Sequence, residues 1–216
     1  MDKIERNINK IISSTLEAAN FQLNKEFGYF VRKTSYGHDA FVVINQGRVD
    51  GDKFGIGCAI EVRHDIIENP WNSLGFIYGE NEKLETSTLT MAYPSVRFGS
   101  KSDMWKLTPA TLKENIEMVA MEIAQAFTKH AVPFYNQFSH LEEVEKMLNK
   151  VPMADISPYT GGLPVEHRAM RSLLCAKAVN PERYSVVRDT FVKMNKGMFP
   201  FEKRMEMLEK VDAMKL

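Results

Sequence analysis

Between residues 54 and 65 two chemically different series interleave: Phe54, Ile56, Cys58, Ile60, Val62 and His64 alternate with Gly55, Gly57, Ala59, Glu61, Arg63 and Asp65. Side chains of a β-strand point alternately to opposite faces, so this pattern predicts a long strand. One face is apolar nearly throughout. The other is small and then charged, which implies that a helix or a ligand comes close near Gly55 and Gly57. Such a strand needs neighbours on both edges and a layer over its apolar face.

The flanking sequence supplies both. Phe27–Lys33 reads as a strand, 35–39 as a turn and Ala40–Asn45 as the antiparallel return, with a second turn over 46–52 leading into the alternating run. A fourth strand is predicted from about Glu85 to Tyr93, ending at Pro94. Ile4, Ile8, Ile11, Ile12, Leu16, Ala19 and Leu23 recur at helical steps, predicting a first helix to about Lys25. Thr108-Pro109 opens a second, whose stripe runs from Leu112 to Phe127 until Pro133 interrupts it. Ser139-x-x-Glu142 is a capping box, Asn180-Pro181 another helix start, and Val165 to Ala178 and Pro200 to Val211 read as helices. The stretch from Asn69 to Gly79, with Trp71, Phe76 and Tyr78, reads as an aromatic loop.

These elements predict an α+β fold. A four-stranded antiparallel meander is packed by the N-terminal helix and the long helix, with Phe41 and Val43 opposed by Val42 and Ile44 on a second strand apolar on both faces. Covering that second face calls for the C-terminal helices or another subunit, a homodimer. Pro152 to Pro164, with Gly161-Gly162, is the natural boundary between an α+β domain over 1–150 and a helical extension over 151–216 packed on it.

The 28 basic and 28 acidic side chains of this 216-residue chain balance, with no Lys/Arg block to draw phosphate or an anionic bilayer. Neither nucleic acid nor a membrane is an expected partner. The N-terminal residues lack an apolar run of signal-peptide or spanning length, and Cys58 and Cys175 lie far apart inside apolar patterns. The expectation is a cytoplasmic protein with reduced core thiols and no cofactor.

Chemistry is sparse. His38-Asp39 and His64-Asp65 resemble the metal-binding pair of the His-Asp phosphohydrolases, but those enzymes are helical and use further ligands, whereas here the pairs fall in a turn and at a strand end. No metal site is expected. Glu61, Arg63 and Asp65 on one face, with His64 at the rim of the other and Trp71 beyond, form the candidate binding site. Phe-Gly-Ile-Gly continues as a strand and not into a helix, which argues against a dinucleotide turn, and no serine or cysteine stands in a nucleophile context.

The order of an N-terminal helix, Phe-Gly-Tyr-Phe-Val-Arg-Lys at 27–33, Phe-Gly-Ile-Gly at 54–57, Trp105-Lys-Leu107 and Val132-Pro-Phe-Tyr135 resembles the layout of an uncharacterised bacterial domain-of-unknown-function family, over about Ile4 to Lys150. The resemblance implies small cytoplasmic proteins, some in toxin-immunity neighbourhoods, and brings no catalytic residues. It favours a non-catalytic binding or immunity-type protein with a protein partner. The alternatives are a small hydrolase or metal-dependent enzyme using Glu61, Arg63, His64 or Asp65, and a small-ligand sensor with its pocket over Gly55 and Gly57.

Overall fold

The computed structural model describes residues 3–73, 87–93, 104–108, 112–149, 165–196 and 201–216. It is an α+β structure, and by compactness it divides into two units, one of residues 1–62 and 90–136, the other of 63–89 and 137–216. The boundary expected over 152–164, the aromatics Phe76 and Tyr78, and the Thr108-Pro109 helix start at Pro109 lie outside the described residues.

In the first unit, helix α1 spans Lys3–Glu17, shorter than its periodicity suggested. Ile4, Ile8, Ile12 and Leu16 form its buried side. The helix stops because Asn20 takes the left-handed conformation, φ 66°. The Phe21 amide then donates to the Leu16 carbonyl at 3.0 Å and the Asn20 amide to Glu17 at 2.9 Å. This pair of bonds is a Schellman ending, with asparagine where glycine is commoner. Leu23 therefore belongs to a strand.

That strand, β1 (Gln22–Asn24), pairs antiparallel with β2 (Tyr29–Lys33), and β2 pairs with β3 (Gly37–Asp50), aligning Phe30 with Phe41. Gly51, at φ 60°, holds the first of two turn positions before β4 (Lys53–His64), where a tight hairpin demands a residue that tolerates positive φ. β5 (Leu89–Tyr93) and β6 (Trp105–Leu107) also pair with β4, β6 at Phe54 to Ile56. The sheet thus has six strands, not four, because segments of three residues are too short to display an alternation. Its order is β1-β2-β3-β4-β5 with β6 beside β4.

Helix α3 (Leu112–Ala126) packs on α1. Proline was expected to end this helix. Instead one wide turn, the π-turn Phe127–Ala131, passes into α4 (Val132–Phe138), and the Val132 amide reaches back five residues to the Phe127 carbonyl. Proline clashes with the carbonyl four residues before it in a regular helix; the wider turn just ahead of Pro133 relieves that clash and lets the helix continue. The same turn aims Phe127 into the core. Its ring meets Phe21 and Phe41 edge-on at 5.3 Å each, and the Tyr135 hydroxyl donates to the Ala40 carbonyl at 2.7 Å. Arg32 lies over the Phe21 and Tyr135 rings while holding buried Asp39 at 2.7 Å, so the charge of that carboxylate is paired. On the opposite sheet face Ala40 is buried, Val42 half-buried and Ile44 exposed, so the cover on that side of β3 falls away along the strand.

In the second unit, helix α2 occupies Asp65–Ser73, where a strand end and a loop were expected. α5 (Leu141–Asn149), α6 (Val165–Val179), α7 (Pro181–Asn195) and α8 (Phe201–Ala213) complete it. Asn180 caps α7 by accepting from the Arg183 amide, with Pro181 following, as the sequence predicts. α6 packs against α2, α5, α7 and α8, and every residue from Ala169 to Ala176 is buried. A helix covered all round must be apolar all round or find partners for each polar group. Arg171 and Ser172 are the exceptions that need them.

Candidate functional site

Arg171 finds its partner in Glu68. The guanidinium Nε donates to Oε1 at 2.7 Å and Nη2 to Oε2 at 2.8 Å, a two-pronged pair with both side chains essentially inaccessible. The Thr88 hydroxyl donates to Glu68 Oε1 at 3.1 Å and accepts the His64 backbone amide at 2.9 Å. The His64 ring is fixed from its other end: Nε2 lies 2.7 Å from the Phe138 carbonyl, and since a carbonyl only accepts, Nε2 carries the proton. The Arg171 guanidinium carbon stands 5.5 Å from the centre of the Trp71 ring. Arg171 Nη1 has no hydrogen-bond partner among the described residues.

One turn along α6 from Arg171, Cys175 is sealed from solvent, and burial pushes its thiol well above the ordinary range, helped by the negative charges of Glu68 and Glu145. Cys58 is likewise raised by burial. Neither thiol is a nucleophile in this state. A second polar layer joins α5 to α6 and α7: the Asn149 amide donates to the Ser172 carbonyl at 3.0 Å, Ser172 to the Leu148 carbonyl at 3.3 Å, and Arg183 to the Asn149 carbonyl.

The residues proposed from sequence are distributed unevenly. Glu61 is half-buried on β4. Arg63 is buried, its Nε bonded to Asp65 Oδ1 at 2.7 Å and its Nη2 to Asn69 Oδ1 at 2.8 Å. Asp65 is exposed, but as the first residue of α2 and not as a continuation of the strand face. Trp71 is fully buried inside α2, so it is a core side chain and not a loop anchor. His64 and Trp71 therefore meet the polar cluster of this unit, whereas Arg63 is bonded to Asp65 and Asn69, and the order of faces that suggested these residues ends at His64. The approach near Gly55 is by neighbouring side chains: a Cβ there would lie 2.6 Å from Met104 Sδ and 2.7 Å from Val49 Cγ1.

Glu68, Thr88 and Arg171 were not singled out by sequence. Two signals existed. Asp65-x-x-Glu68 has the spacing of a helix start, with acids in the first turn, and marks α2. Arg171 is a charge inside the apolar run Ala169-Met170…Leu173-Leu174, a position that requires a buried acid elsewhere in the chain. Its position does not say which acid.

Among the described residues no group of three or more His, Cys, Asp or Glu side chains is arranged to hold a metal ion, and no helix is long and apolar enough to cross a membrane. Fold and cluster define an α+β protein with an antiparallel sheet in one unit and a polar-cored helical unit in the other. Compared with protein-family models, with curated proteins and with solved structures, the chain matches none.

Proposed function

We propose that this chain is a non-catalytic binding protein. The observation that carries the reading is the commitment of His64, Glu68 and Arg171 to one another's surroundings: Glu68 spends both oxygens on Arg171, and His64 spends Nε2 on a carbonyl. General acid-base work needs a titratable group that reaches a substrate proton, and these groups are inaccessible to solvent. Their arrangement is that of a specificity-giving core network. An immunity-type role is the form of binding that the family resemblance implies.

The test has two arms. Purified protein is assayed against phosphate-ester and carboxylic-ester substrates with and without Zn²⁺ or Mn²⁺, and no turnover above buffer is expected. Metal-dependent turnover that disappears in a natively folded His64→Gln variant would overturn the reading. In the second arm, chemical cross-linking in cells identifies a partner, which is then purified and titrated against the chain. A saturable, stoichiometric complex supports the reading; failure of every cross-linked candidate to bind counts against it.

A further inference from the structure

Only once in the chain does glycine follow an aspartate or an asparagine, at Asp50-Gly51. The fold sets this step at the tip of the β3–β4 hairpin, where Asp50 ends β3 and Gly51 opens the turn. The Asp50 side chain is 55% accessible. Gly51 is exposed at φ 60°, and among the described residues no atom beyond its chain neighbours lies within 4 Å of where a side chain would begin. The carboxyl of an aspartate is open to attack by the backbone nitrogen of the following residue, which closes a cyclic imide. A side chain on that residue crowds the ring, and glycine has none. Two cations hold the carboxylate: Lys53 Nζ lies 3.3 Å from Asp50 Oδ2, and Lys106 Nζ, from β6, 3.5 Å from the same oxygen. The hydrogen bond and charge of Lys53, and then Lys106, keep the Asp50 carboxyl below the ordinary aspartate range. Ring closure draws on the protonated carboxyl, which loses water, whereas a carboxylate has no comparable leaving group.

We propose that Asp50 is a modification site, at which the chain isomerises spontaneously to isoaspartate through a succinimide at a rate that Lys53 and Lys106 restrain. The Gly51 nitrogen gives up its proton and bonds to Asp50 Cγ, the Cγ–OH bond breaks, and one water leaves. A solvent water then adds to either ring carbonyl. Opening at Cγ regenerates Asp50. Opening at the main-chain carbonyl carbon leaves Gly51 bonded through Cγ and frees the former main-chain carbonyl as a carboxylate. One water leaves and one returns, so the mass is unchanged and no oxidant, reductant or cofactor takes part. The product carries an extra methylene in its main chain. It does so in a hairpin whose turn length sets the pairing of β3 with β4, so the isomer differs from the parent in register as well as in charge position.

The full chain is incubated for weeks at physiological temperature and mildly acidic pH and then digested with trypsin. The peptide Val49–Lys53 is sequenced by electron-transfer fragmentation, which distinguishes isoaspartate from aspartate. Isoaspartate is expected to accumulate at position 50, preceded by a species one water lighter. Asp52 in the same peptide is also exposed but precedes a lysine, and it should stay unchanged. Lys53→Gln with Lys106→Gln should speed the accumulation about twofold to fivefold, the factor that exposed ion pairs of this kind are worth; the tryptic peptide of that variant ends at Arg63. Asp50→Asn should react faster than the parent, because its amide leaves without first requiring a protonated carboxyl. Unchanged circular dichroism verifies the fold of each variant. Absence of isoaspartate at position 50 of the parent, or a rate indifferent to the paired lysine substitutions, overturns the proposal, and an Asp50→Asn chain that stays intact overturns it by showing that the turn forbids ring closure.

Discussion

Removing one half of the Glu68–Arg171 pair should cost the second unit more than removing both. Glu68→Gln keeps the shape but leaves the Arg171 charge buried with one neutral acceptor, where it now has two charged bonds of 2.7 and 2.8 Å. Breaking a buried pair this way costs about 3–5 kcal/mol, because the remaining ion keeps its desolvation penalty and loses its compensation. Arg171→Met strands the Glu68 carboxylate equally, except that Thr88 still donates to it, so its cost should fall near the lower figure. Against a total stability of about 5–15 kcal/mol either change is large. The double variant Glu68→Leu/Arg171→Met removes both charges into an apolar site of similar volume and should recover at least about 2 kcal/mol relative to the worse single. Trp71 sits against Arg171 and the other tryptophan is Trp105, so a Trp105→Phe background makes fluorescence report this site alone during urea unfolding. If each single variant costs under about 1 kcal/mol, or if the double costs as much as the sum of the singles, the pair is not the buried, coupled unit described and the reasoning fails.

Four other outcomes follow from named contacts. Asp212 accepts from Arg188 and from the Tyr184 hydroxyl; burial raises its carboxyl, these partners outweigh that, and the net effect is a lowered value. A folded-state depression gives stability that is present above the ordinary aspartate range near 3.9 and is lost as pH falls through the lower folded value, so Asp212→Asn should lower stability at pH 7 and flatten the acid limb of a melting-temperature profile. Gly55→Ala forces Met104 and Val49 aside and should destabilise by about 1 kcal/mol, the low end for overpacking because both atoms belong to side chains, with Val49→Ala restoring most of it in chemical denaturation. Asn20→Ala should cost about 1 kcal/mol by putting a residue that avoids positive φ at the end of α1, whereas Asn20→Gly should cost nothing; a melt in which the two behave alike would contradict the Schellman ending. A thiol-reactive disulfide reagent should find neither Cys58 nor Cys175 in the native protein and both after denaturation, and prompt native reaction would show that the cysteines are not sealed.

What the sequence by itself determined is local and periodic. The alternation from Phe54 required a strand and was met by β4 over Lys53–His64; the three- and four-residue steps required α1 and α3; Asn180-Pro181 placed the start of α7. Each rests on neighbours a few residues apart, whose energetics are settled within a turn or a pleat. The errors have the same origin. Asp65 continues the alternation by one more residue, so its role as a helix start was hidden; Leu23 falls in step with α1 although Asn20 had already ended it; Pro133 reads as a stop unless the wider turn before it is known. Of the candidate site, His64 and Trp71 were legible in the sequence. Glu68 and Arg171 are 103 residues apart, and Thr88 stands between them in sequence with no pattern linking the three. Tertiary structure alone decided that pairing, because a buried arginine requires a buried carboxylate but any of the chain's acids satisfies that demand until packing brings one within 3 Å.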